Sequence, residues 1–189
     1  MQKPAPHASF ITMRREHMHN DTSPAWFLVE NIGYLPKGRA LDLAMGAGRN
    51  AVYLAKEGFQ VEGVDISAAA VNKALSLAQE SGVEIATRVA DLEDDYHLPE
   101  ETYDAIICFY YLHRPLIKEI RQSLKPGGVV VYETYNVDQA QWGVPKNPEH
   151  LLKHNELLNM FRDYRVLRYR EGVIEHRKAI ASIIAQKPT

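Results

Sequence analysis

Residues 41–51 read Leu41-Asp42-Leu43-Ala44-Met45-Gly46-Ala47-Gly48-Arg49-Asn50-Ala51, an apolar strand that passes through a glycine turn into the start of a helix. Gly46 and Gly48 allow a tight reversal and let a ligand approach the backbone with no Cβ in the way. Few chain segments constrain a fold more, because a strand feeding a helix through such a turn belongs to a sheet with helices packed on it.

The remainder of the chain fits that frame. Ala40–Ala44 reads as a strand and Arg49–Glu57 as a helix closed by Gly58, followed by a second strand over Gln60–Val64. Ser67 is placed to cap a helix to about Ser81, with Gly82 ending it. Val83–Val89 and Ala105–Phe109 read as strands, Pro115–Leu124 as a helix and Gly128–Tyr132 as a fifth strand. Asn147-Pro148 opens a helix expected to reach about Phe161, and Tyr164–Arg170 and Lys178–Ala185 close the chain as strands. Only a short connection containing Gly172 separates those last two, so they form an antiparallel hairpin. The expected fold is α/β: a Rossmann-like doubly wound sheet of about seven strands, mostly parallel, with helices on both faces.

Before this unit, residues 1–21 are polar and aperiodic and read as a flexible N-terminal arm, in which His17 and His19 are candidates for a lid. Ser23-Pro24 then reads as a helix start, and residues 22–189 as a single domain. A length of 189 residues suits one such domain. The net charge of −2 gives no basic field to gather nucleic acid or anionic lipid. The longest apolar run, Ala105 to Leu112, is far below the ~20 residues of a membrane span, and the first twenty residues lack a signal-peptide core. With one cysteine, Cys108, an internal disulfide is impossible, which suits a reducing, cytoplasmic setting. The oligomeric state is left open.

Three strand tips carry the chemistry. Gly46 and Gly48 follow the first strand, Asp65 ends the second and Asp91 ends the third. An acid at the second tip is placed to accept from ribose hydroxyls, so the pattern describes a nucleoside pocket at the carboxyl edge of the sheet. Residues 46–51 also match a dinucleotide fingerprint. Against a dinucleotide, Asp42 lies inside the strand beside the turn, where a carboxylate opposes a pyrophosphate and favours an ammonium group.

The order Leu41-Asp42-Leu43-x-x-Gly46-x-Gly48, Val64-Asp65-Ile66-Ser67, Ala90-Asp91-Leu92, Tyr103-Asp104-Ala105-Ile106 and Leu124-Lys125-Pro126-Gly127-Gly128 resembles the class I S-adenosylmethionine-dependent methyltransferases. Gly48-Arg49-Asn50 and the short length look most like the small tellurite-resistance type. The resemblance implies S-adenosylmethionine as cofactor and methyl transfer to a small-molecule acceptor by in-line displacement. It implies that Ala44 and Gly46 line the methionine moiety, with Gly48 completing the turn and Asp42 holding the ammonium group. It further implies Asp65 on the ribose, Ile66 packed on the adenine, Asp91 and Leu92 at the adenine amino group, and Phe109 facing the methionine part. Met45 stands where many relatives have cysteine, at a position that contributes mainly backbone.

The family has no uniform catalytic set. His113, Tyr110 and Tyr111, directly after the fourth strand, are the candidates here. Each carries a plainer alternative: the tyrosines as core packing, His113 as a cap on the next helix, Asp42 and Asp65 as helix caps, and Asp91 as part of a solvated loop. His150 and His154 have a metal-ligand spacing on the expected helix but no third ligand, so no metal is expected. Arg162, Arg165, Arg168, Arg170, Arg177 and Lys178 near the C-terminus read as protection of a sheet edge. Two alternatives to an enzyme of this class stay open: a non-catalytic module that binds the cofactor, and a nicotinamide-dependent oxidoreductase.

Overall fold

Seven strands form one sheet in the order β3-β2-β1-β4-β5-β7-β6 in a computed structural model that describes residues 22–94, 96–174 and 178–189. The arm expected over residues 1–21 lies outside the described residues. The strands are β1 (Arg39–Leu43), β2 (Gln60–Asp65), β3 (Ala86–Val89), β4 (Tyr103–Phe109), β5 (Leu124–Tyr135), β6 (Arg165–Ile174) and β7 (Lys178–Gln186). The first five pair in parallel, while β7 is antiparallel to both β5 and β6. The helices are α1 (Trp26–Asn31), α2 (Arg49–Lys56), α3 (Ala68–Glu80), α4 (Leu116–Ser123) and α5 (Glu156–Met160).

Central strands read as unbroken apolar runs because both of their faces are covered. On one face, Leu41, Leu43, Ile106 and Val130 pack with Leu116 and Ile120 of α4 and Leu157 of α5. On the other, Ala40, Ala105, Ile107 and Val131 pack with Leu28 of α1 and Leu54 of α2. Helix α3 begins as expected, with Ser67 Oγ accepting the Ala70 N–H at 3.2 Å.

Several expected elements differ: β3 begins at Ala86 rather than Val83, and β6 runs through Gly172 to Ile174 rather than ending at Arg170. The helix expected from Ser23-Pro24 begins only at Trp26, because Ala25 takes the cap position and donates its N–H to the buried Asn50 Oδ1 at 2.8 Å. The helix expected over residues 147–161 is instead a 3-10 turn (Pro148–His150), an extended crossing and the short α5. Leu152 is drawn into the core, where it bridges Asn136, and Asn155 breaks the helical path at φ 59°. Strand β5 runs to Tyr135 rather than Tyr132, which carries its end further along the sheet.

Strand order reverses between β1 and β4, where helices leave toward opposite faces and a crevice opens at the carboxyl ends. Antiparallel β7 starts at that same edge, so Lys178 joins the tips of β1, β4 and β5.

Candidate functional site

The glycine turn is held open by its own geometry. Ala44, Gly46 and Gly48 all have left-handed φ, at 53°, 57° and 78°. A Cβ on Gly46 would meet nothing within 4 Å, whereas one on Gly48 would lie 2.5 Å from the Ala74 Cβ of α3. Gly46 therefore borders open space, and Gly48 is a contact point between the turn and a helix. Met45 fills the hollow over Gly63, where an added Cβ would stand 2.1 Å from its sulfur. Asp65 fastens the turn to β2: its Oδ2 accepts the Gly46 N–H at 2.8 Å and its Oδ1 the Ser67 N–H at 2.9 Å.

Asp42 is 1% exposed, and its Oδ2 has no hydrogen-bond partner among the described residues. Burial pushes its carboxyl from 3.8 up to about 8, against the opposing pull of the Ala51 backbone N–H and the Arg49 guanidinium. A buried polar atom without a partner is destabilising, so this one implies a ligand that donates to it.

Asp42 lines a cavity of about 440 Å³ together with Ala44, Gly46, Phe109 and Tyr110. Met45, Ala47, Arg49, Asn50, Tyr135 and Lys178 complete its wall. Tyr110 sits at φ 59° and donates its N–H to the Glu133 carbonyl at 2.7 Å, which fixes the turn after β4 against β5. Its ring centroid is 5.3 Å from that of Tyr135.

The other expected site residues lie outside that cavity. Asp65, Ile66, Asp91 and Leu92 follow the same carboxyl edge past the tips of β2 and β3. Ile66 is 65% exposed, an apolar surface without cover, whereas Leu92 is buried. Asp91 is exposed, and its Oδ1 accepts the Glu93 N–H at 2.9 Å. Tyr111 donates to Glu93 Oε1 at 3.3 Å and His113 Nδ1 lies 3.9 Å from Glu93 Oε2. Those two form a cluster apart from the cavity lining, and burial raises the Tyr111 phenol so that it stays protonated. Among the described residues no three metal-ligating side chains come together, and His154 instead meets Asp138 at 3.1 Å.

Sequence reasoning missed Tyr135, Asn50 and Lys178 as cavity residues. Tyr135 lies beyond the expected end of its strand, and Lys178 reads as one of several edge cations until the hairpin is placed beside β5. It missed as well a polar cluster behind the cavity wall. Glu133, 2% exposed on β5, accepts from Arg170 of β6 at 3.0 Å and from Ser182 Oγ of β7 at 2.7 Å.

The fold recurs in known proteins. The family described as "Methyltransferase domain" matches residues 40–128. A ubiquinone biosynthesis O-methyltransferase of Alkalilimnicola ehrlichii is 33% identical over 115 residues, which is 58% of this chain and 47% of that protein. The enzyme of the same description from Serratia proteamaculans is 30% identical over 121 residues, 61% of this chain and 50% of that one. The chain thus spans about half the length of these curated relatives. Among solved structures, TehB from Haemophilus influenzae superposes with a TM-score of 0.73 at 22% identity, covering 89% of this chain and 64% of that one. An S-adenosylmethionine-dependent methyltransferase from Methanosarcina mazei gives 0.68 at 20% identity, covering 87% and 99%. The fold and the glycine-turn cavity define a Rossmann-like methyltransferase domain. Residues 40–128 match that methyltransferase domain, and the fold is the one found in S-adenosylmethionine-dependent methyltransferases.

The residues present fit the cofactor. The orphaned carboxyl oxygen of Asp42 suits an ammonium donor, the open face of Gly46 leaves room for a chain beside the backbone, and the bare Ile66 side chain offers an apolar surface for a base. Among the described residues no helix is long and apolar enough to cross a membrane.

Proposed function

We propose that this chain transfers a methyl group from S-adenosylmethionine to a small-molecule acceptor in the cytoplasm, without nucleic acid or membrane as partner. The observation that carries this reading is the buried Asp42 carboxyl, whose Oδ2 has no hydrogen-bond partner among the described residues, opening onto the cavity beside Gly46. When bound, the cofactor supplies a methyl carbon on a sulfonium, which an acceptor lone pair displaces in line as the sulfur leaves as a neutral thioether.

The protein's own part is to bind and align. Asp42 holds the ammonium group, with Ala44 and Gly46 along the methionine chain and Phe109 beside it. Asp65 keeps the Gly46 turn in place, and lone pairs it does not use on Gly46 and Ser67 receive the ribose hydroxyls. Ile66, Leu92 and Asp91 border the adenine. Tyr110 faces the acceptor, and Tyr111 and His113, joined through Glu93, back the wall behind it. Alignment of donor and acceptor supplies ~7–11 kcal/mol in favourable cases, so a side-chain base is needed only for an acceptor that keeps its proton at working pH.

Two measurements test this reading. Isothermal titration should give a single site for S-adenosylhomocysteine and no binding of NADH. Turnover to S-adenosylhomocysteine with a panel of thiols, small acids and selenium and tellurium oxyanions should then distinguish an enzyme from a binding module. Absence of S-adenosylhomocysteine binding would overturn the proposal.

A further inference from the structure

Lys178 has no assigned task, although it stands at the first position of β7, in the wall of the cavity. Among the described residues no carboxylate lies within ion-pair distance of it. Its Nζ rests 5.3 Å from the centre of the Tyr110 ring instead. The Arg49 guanidinium faces the same ring at 5.9 Å and donates to the Ser23 carbonyl at 3.2 Å. Among the described residues, two cations thus share one aromatic wall.

The two cations are placed differently. Arg49 opens α2 directly after the glycine turn, within the electrostatic reach of Asp42, at the cofactor end. Strand β7 is separated from β1 by β4 and β5, about 14 Å at ~4.8 Å per strand step. Lys178 therefore belongs to the far end of the cavity, where the acceptor enters. A cation over a ring is held more weakly than one hydrogen-bonded to a carboxylate, so an entering anion draws Lys178 from Tyr110 at little loss. Tyr110 and Tyr135, tilted 38° to each other, give that end flat apolar surfaces. The cavity is at the small end of the usual ligand range.

We propose that the acceptor is a small aromatic carboxylate, with its ring against Tyr110 and Tyr135 and its charge on Lys178. This rests on the methyltransferase reading above. It adds the class of acceptor and a residue that selects it.

Benzoate, benzamide and acetate serve as probes in isothermal titrations of the protein saturated with S-adenosylhomocysteine. Benzoate should bind at least tenfold more tightly than benzamide, which lacks the charge, and than acetate, which lacks the ring. Lys178→Met should erase the preference over benzamide while S-adenosylhomocysteine affinity stays within twofold, and Lys178→Arg should keep it. Equal binding of benzoate and benzamide, or a preference that survives Lys178→Met, overturns the role of Lys178. Acetate binding as well as benzoate overturns the aromatic part. These measurements on the unsubstituted protein decide the acceptor class even if Lys178→Met fails to fold. Failure to bind S-adenosylhomocysteine at the outset is a different result, and it strikes the methyltransferase reading itself.

Discussion

Asp65 grips Gly46: the carboxylate at the tip of β2 accepts the glycine's N–H at 2.8 Å with one oxygen and the Ser67 N–H at 2.9 Å with the other. The acid that faces a ribose in this reading is thus also the clasp on the turn that faces the methionine chain. Its two tasks cannot be separated by deleting it.

Asp65→Ala should therefore weaken both binding and folding. Loss of a hydrogen bond to a charged group is worth about 1.5–3 kcal/mol, so S-adenosylhomocysteine affinity should fall by about 10- to 150-fold in a titration. Melting should shift down as well, by roughly 2–4 °C for each kcal/mol lost from a chain of this size. An unchanged affinity would remove Asp65 from the binding site.

Asp42 predicts a pH dependence of definite sign. Its carboxyl is raised from 3.8 to about 8 in the folded chain, so between those values the folded state holds a proton that the unfolded state releases. The stability this provides is complete below about pH 4 and is lost as pH rises through 8. Binding of an ammonium group runs the other way, because it requires the charged carboxylate. Affinity for S-adenosylhomocysteine should rise from pH 6 to pH 8 with proton release, detectable as a dependence of binding heat on the buffer. Asp42→Asn should bind weakly and lose both effects.

The two glycines of the turn should respond differently to the same change. Gly46→Ala places a Cβ in open space at φ 57°, so the stability loss should be limited to the left-handed backbone penalty of about 1–2 kcal/mol, with cofactor binding reduced. Gly48→Ala adds to that penalty a 2.5 Å encounter with Ala74, and overpacking of this kind costs about 1–3 kcal/mol more. Denaturant titrations of the two variants should rank Gly48→Ala as clearly the less stable.

What could be read from the sequence was local, and what could not was tertiary. Gly46, Gly48 and Asp65 lie within one βαβ unit and the Ser67 cap directly follows it, and turn chemistry alone places them at one edge. The apolar residues Leu151, Leu152, Leu157 and Phe161 suit a helix by spacing, but Leu152 is recruited to a bridge with Asn136, on a strand end distant in sequence. Tyr135 and Lys178 enter the cavity only because β5 runs three residues past its expected end and β7 pairs beside it. Glu133 and Arg170, 37 residues apart, give no local signal of their pairing.

That buried pair makes a further prediction. Arg170→Met leaves Glu133, 2% exposed, with Ser182 but without its guanidinium. Breaking a buried pair from one side costs ~3–5 kcal/mol, and the lower end applies here because the Arg170 side chain is 25% exposed. Glu133 also accepts the Tyr110 N–H through its carbonyl, so loosening β5 from the hairpin should disturb the acceptor wall. Chemical denaturation should register the stability loss, and the benzoate titration the disturbance.

His113 should matter less to the rate than its place after β4 suggests. Its ring nitrogen lies 3.9 Å from Glu93 Oε2 and its carbonyl accepts the Leu116 N–H at 3.2 Å, so the residue links the start of α4 to the loop after β3. It is absent from the cavity wall, which Tyr110 occupies. A general base within reach of the acceptor is worth ~10²–10⁴-fold in rate. His113→Ala should cost less than tenfold in kcat, leave S-adenosylhomocysteine affinity intact and lower the melting temperature by a few degrees, since a half-buried contact is lost. A hundredfold fall in kcat with S-adenosylhomocysteine affinity intact would reverse the assignment. The Glu93 loop would then have to carry His113 to the acceptor during turnover.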